Sequence, residues 1–81
     1  MNQHERRNIL TDYNKILGAN LREVRRALDL SLGDVAKRTD SEFKASVVGA
    51  YERGERSITA VRLHKLCAVY NIKPIDVLPD E

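Results

Sequence analysis

The chain is predicted to be all-α, five short helices around one hydrophobic core, and three observations carry that prediction. Apolar residues recur at spacings of three and four, the signature of a helix face. No segment alternates apolar with polar residues as a half-buried strand does. Ser, Thr and Asp stand before the apolar runs where N-caps belong, and Gly54 and Asn71 follow them where left-handed stops belong.

The first helix is set by Leu10, Tyr13, Leu17, Leu21, Val24 and Leu28, with Thr11 or Asp12 as its N-cap, giving a span of about 12–28. Residues 1–11 then form a flexible arm whose Arg6 and Arg7 read first as solvated charges and second as a minor-groove contact. After a turn at Asp29 and Leu30, Ser31 caps the second helix, LGDVAKRT, with Leu32, Val35 and Ala36 as its apolar stripe. The polar stretch Asp40, Ser41, Glu42 interrupts the pattern, which resumes through Val47, Val48 and Tyr51 until Gly54, a third helix over about 44–53. Thr59 caps the fourth, with Leu63, Leu66, Cys67 and Tyr70 facing inward and Asn71 ending it. Pro74 opens a fifth, PIDVL, from which Ile75 and Leu78 are expected to close the base of the core, and 79–81 form a tail.

Composition narrows the chemistry. At 81 residues the chain makes one small domain near the lower limit for folding without staples. A single cysteine, Cys67, allows no internal disulfide, and no Cys/His set has zinc spacing, so neither metal nor other cofactor is expected and the core must be hydrophobic. Without a signal-peptide or membrane-length apolar run, the expectation is a soluble cytoplasmic protein with no membrane partner. No paired carboxylates or activated nucleophile can be assembled, which argues against an enzyme. Net charge is +2 with no basic tail, so any electrostatic footprint is local.

The third helix presents two different faces. Val48 and Tyr51, with Val47 partly turned in, face the core, and Lys44, Ala45, Ser46, Gly49, Ala50 and Arg53 face out. A glycine inside a helix costs roughly 1 kcal/mol relative to alanine. Gly49 therefore implies a close approach, either by a binding partner along the outward face or by a neighbouring helix.

In their order, LREVR (Leu21 to Arg25), SLGDVA (Ser31 to Ala36), YERG (Tyr51 to Gly54) and LHKLCAVYNI (Leu63 to Ile72) give residues 12–78 a resemblance to the Cro/phage-repressor, or XRE, type of helix-turn-helix domain. The resemblance implies a lambda-repressor-like fold and a sequence-specific transcriptional regulator, a repressor, with helix 44–53 in the major groove of double-stranded DNA. It implies a homodimer on a pseudo-palindromic operator, weak or absent off DNA. By family position Lys44, Ala45, Ser46 and Ala50 face bases, joined on the physical argument above by Gly49, and Arg53, Arg56 and Ser57 meet phosphates. Arg25 and Glu52 form an ion pair inside the fold.

This sequence departs from the family pattern in two places. Between Val35 and Glu52 it has two residues more than usual, lengthening the turn around Ser41 to Phe43, and Leu32 stands where relatives often have Gln. Arg38 to Asp40 spell R-x-D, an element of cyclic-di-GMP sites, but the second arginine-aspartate element is missing, so this chain alone is expected not to bind cyclic-di-GMP. The alternative from another class is a protein-interaction module, a helix-turn-helix fold that binds a regulatory protein, which the small neutral outward face of the third helix keeps open.

Overall fold

The computed structural model describes residues 3–80, with side chains from Asp12 onward. Four α-helices follow in order, α1 (Gln3–Ala27), α2 (Leu32–Arg38), α3 (Ala45–Glu52) and α4 (Ala60–Val69), and a 3-10 turn covers Pro74–Asp76. The expected fifth helix is this single turn. Pro74 starts it, but Val77 already leaves it as a C-cap, and Pro79 two residues later cannot donate a backbone bond.

Local signals placed α2 and α4 well. Ser31 and Asp34 make a reciprocal capping box at α2, and the Thr59 hydroxyl accepts from the Arg62 amide at α4. Asn71 takes the left-handed conformation, φ 57°, and Gly54 does so at φ 73°. The start of α1 was misplaced. It begins at Gln3, so residues 3–11, expected as an arm, continue the helix. Thr11 and Asp12 sit in its interior, where each costs only a few tenths of a kcal/mol, and no Gly or Pro interrupts the chain before Gly18. The side chains of Arg6, Arg7 and Leu10 lie outside the described residues.

The core joins Leu17 and Leu21 of α1, Val35 of α2, Val48 and Tyr51 of α3, and Leu63, Leu66, Cys67 and Tyr70 from α4 and its cap. Three further members come from connectors, Leu30, Phe43 and Val77. Val77 replaces the expected Ile75, which is 72 % exposed. A 3-10 turn advances about 120° per residue rather than 100°, and this phase directs Val77, not Ile75, under α4. Tyr13 and Leu28, expected on the buried face of α1, are exposed at 38 % and 46 %, while Leu17 and Leu21 between them are buried.

Two glycines set how α1 lies on α3. A Cβ on Gly18 would collide with the Tyr51 carbonyl oxygen and come within 2.6 Å of the Glu52 carbonyl oxygen, and one on Gly54 would sit 2.9 Å from Lys15 Cα. Backbone touches backbone at this crossing. It fixes the end of α3 against α1 and leaves the opposite face of α3 uncovered by α1.

Candidate nucleic-acid interface

The inward side of α3 is closed by Val48, Tyr51 and Glu52, all buried. Beneath its C-terminal end lies the ion pair that the family resemblance implied. Arg25 Nε donates to Glu52 Oε2 at 2.7 Å and a terminal guanidinium nitrogen donates to Oε1 at 2.9 Å, while the other donates to the Leu30 carbonyl at 2.7 Å. Hydrogen bonding to Glu52 holds the Arg25 guanidinium above its already high pKa despite the opposing cost of burial. Arg25 is thus spent on holding α1, the α1–α2 turn and α3 together.

Lys44 and Ser46 are exposed on the other side, and Ala45 and Ala50 are half-buried. Lys44 is the N-cap of α3 rather than its first residue, with φ −65° and ψ 144°, and its side chain makes no capping hydrogen bond. The Ala45 and Ser46 amides precede the first donors of the helix ladder, the Val47 and Val48 amides, both of which bond the Lys44 carbonyl at 3.0 Å. The start of α3 thus offers amides and a lysine together, an arrangement that attracts anions.

Gly49, expected on the outward face, is itself buried, approached by the C-cap residue of α3 and by a side chain of α2. A Cβ there would lie 3.0 Å from an Arg53 guanidinium nitrogen and 3.4 Å from a Leu32 methyl. Arg53, the C-cap of α3, therefore reaches back over Gly49 with the tip of its guanidinium while its Nε bonds Glu55 of the loop. An open notch of about 250 Å³ is lined there by Arg22, Arg25, Leu32, Gly49, Glu52 and Arg53. Leu32, occupying a position where relatives often have Gln, forms its apolar wall. Arg22 was not singled out from the sequence; its place in LREVR, three residues before the buried Arg25, was the available signal.

Beyond α3 the loop carries the other expected phosphate residues. Arg53 Nε donates to Glu55 at 2.9 Å, with both side chains about three-fifths exposed. A surface pair of this kind is worth about 0–1 kcal/mol and is readily exchanged. Arg56 is exposed and has no ion pair among the described residues. The Ser57 hydroxyl accepts from the Asn14 amide at 2.8 Å, which ties the loop to α1 and leaves its own proton available. Lys44 at one end of α3 and Arg53 and Arg56 at the other flank its small outward residues.

The connector between α2 and α3, expected to be lengthened around Ser41 to Phe43, spans residues 39–44. Asp40 and Ser41 both take positive φ, 50° and 64°, and Phe43 is buried. Among the described residues no group of three or more His, Cys, Asp or Glu could hold a metal ion, and no helix is long and apolar enough to cross a membrane. Cys67 is buried, and burial pushes its thiol pKa up, the opposite of activation.

Comparison with known proteins gives the fold a family. A helix-turn-helix family model matches residues 21–78. The solved DNA-binding domain of BldD is 42 % identical with a TM-score of 0.82, the alignment covering 85 % of this chain and 97 % of that one. The S. venezulae BldD DNA-binding domain is 43 % identical with a TM-score of 0.80, over 84 % of this chain and 99 % of that one. A search of the curated proteins finds no match. With the capped α2, the α3 held by its inner face and the Arg25–Glu52 pair in place, the chain belongs to the XRE-type helix-turn-helix family and resembles the DNA-binding domain of BldD.

Proposed function

We propose that this protein is a sequence-specific DNA-binding transcriptional regulator, acting as a repressor by occupying its operator. The observation that carries the reading is the two-sidedness of α3, whose inner face is locked by the core and the Arg25–Glu52 pair while its outer face stays small between cations. A major groove about 12 Å wide admits one helix. Small residues let the helix backbone approach the base edges, Ser46 can exchange hydrogen bonds with them, and Ala45 and Ala50 can meet thymine methyls. Lys44, at the start of the helix, can reach a base edge, and Arg53, Arg56 and Ser57 then meet the flanking phosphates. Few long polar side chains reach the bases, so much of the specificity falls to DNA shape and bridging water. The identity to BldD DNA-binding domains supports this reading.

Binding is proposed to occur as a homodimer on a pseudo-palindrome, with the free chain monomeric or weakly paired. Selection of bound genomic fragments followed by footprinting tests this. Two protected half-sites about 10 base pairs apart, or a multiple of that, are expected. A second reading, a protein-interaction module, rests on the near-neutral Ala45, Ser46 and Ala50 surface. Selection that enriches no common sequence, together with stoichiometric capture of a protein partner that α3 substitutions abolish, would favour it.

A further inference from the structure

The lengthened connector between α2 and α3 is held from outside by α4, chiefly by Arg62. Arg62 Nε donates to the Tyr51 hydroxyl at 2.9 Å, and a terminal guanidinium nitrogen donates to the Glu42 carbonyl at 3.4 Å. The same guanidinium lies over the Phe43 ring, 4.2 Å from its centroid, a cation–π distance, and 5.9 Å from that of Tyr51. Lys65, nearly one turn further along α4, reaches the Glu42 carboxylate at 2.8 Å. From the other side, the Thr39 hydroxyl accepts from the Phe43 amide at 3.1 Å. Asp40 and Ser41 meanwhile carry the connector through two successive left-handed residues, a conformation that non-glycine side chains disfavour. Such a segment does not hold its shape by local preference. It is pinned at Phe43, and Phe43 is next to Lys44, the cap of α3.

Resting on the DNA reading, we propose that Arg62 is a positioning residue for recognition, setting through Phe43, Glu42 and Tyr51 the angle at which α3 leaves the connector. Arg62 is on α4, and its planar fork is turned toward the protein's own ring, hydroxyl and carbonyl. Its effect on DNA is therefore indirect. A lysine cannot reproduce it, because an ammonium neither stacks flat on Phe43 nor donates in two fixed directions.

The test uses the parent, Arg62→Lys and, as a gentler cut that keeps the fold, Tyr51→Phe, which removes only the hydroxyl that Arg62 holds. Each is titrated with footprinted operator and with random duplex over a range of salt. Amide exchange of the free proteins is followed by NMR. The expected result is a loss of about tenfold in the operator-to-random affinity ratio for Arg62→Lys, the scale of one mismatched base pair, with an unchanged salt slope because no phosphate contact is lost. Tyr51→Phe moves the ratio in the same direction. The Phe43 amide exchanges faster in both variants while that of Leu21 in α1 keeps its rate. An unchanged ratio overturns the positioning role, and so does an unchanged Phe43 exchange rate. A slope smaller by about 1 in Arg62→Lys overturns it differently, by showing a direct phosphate contact. A parent that binds no duplex overturns the DNA reading itself, whereas a binding parent matched by its variants overturns this inference alone.

Discussion

Replacing Glu52 with alanine tests the mechanical base of the interface. The substitution removes both carboxylate oxygens that accept from Arg25, at 2.7 and 2.9 Å, and leaves the guanidinium only the neutral Leu30 carbonyl. The Arg25 side chain is 11 % exposed, so water cannot replace the lost partner without opening the packing. Leaving one member of a buried pair uncompensated costs about 3–5 kcal/mol, a large share of the 5–15 kcal/mol or so by which domains are stable. At about 4–8 °C per kcal/mol for a domain of this size, the melting temperature should fall by at least roughly 12 °C, read by circular dichroism. The double substitution Arg25→Met with Glu52→Leu should recover most of the loss, since replacing a whole buried pair with apolar side chains is often neutral or stabilising. A Glu52→Ala protein melting within about 2 °C of the parent would refute the reasoning, because a pair seated this way cannot be broken so cheaply.

Gly18→Ala should destabilise by several kcal/mol or prevent folding in a chemical denaturation series, because its Cβ would press on the Tyr51 and Glu52 carbonyls, which are backbone and cannot turn aside. Gly49→Ala should fold as well as the parent or better, by up to about 1 kcal/mol, since its Cβ meets only the flexible tip of Arg53 and a Leu32 methyl; equal losses for the two glycines would contradict this contrast. Tyr70→Phe should be neutral or stabilising in thermal melts near pH 7, because its buried hydroxyl has no hydrogen-bond partner among the described residues. Burial foremost, then the Glu52 carboxylate, raises this hydroxyl's pKa well above its ordinary 10.0, so its titration leaves stability unchanged below about pH 10 and lowers it as pH rises from there toward the folded-state value, where the unfolded chain ionises and the fold resists. The phenylalanine variant should therefore lose less stability than the parent on the alkaline side, and parallel pH profiles would contradict the assignment.

Features governed by near neighbours in the chain were legible. The Ser31 and Thr59 caps, the Asn71 stop and the inward set of α4 depend on residues within a turn or two, and the structure has all of them. The Arg25–Glu52 pair was legible only through family position, since its partners are far apart in sequence. Other features escaped because distant parts of the chain create them. Nothing in the residues around Gly18 marks it as the point where α3 crosses α1, and nothing around Arg62 marks it as the partner of Phe43. The start of α1 was missed for a different reason, because Thr11 and Asp12 suit an N-cap but are tolerated inside a helix. Gly49 did announce a close approach. The space above it is occupied by Arg53, which brings a guanidinium onto the face proposed to meet DNA.

The most direct test of the central claim is a salt titration of the parent and Arg56→Ala on an operator duplex. Each neutralised phosphate contributes about 0.9 to the fall of log K with log salt. Arg53 and Arg56 acting on phosphates predict a salt-dependent parental slope, and Arg56, exposed and without an ion pair among the described residues, predicts a slope smaller by about 1 in the variant, with affinity reduced about equally on operator and random duplex. Parental binding that is independent of salt, or an Arg56→Ala slope identical to the parental one, would contradict the account.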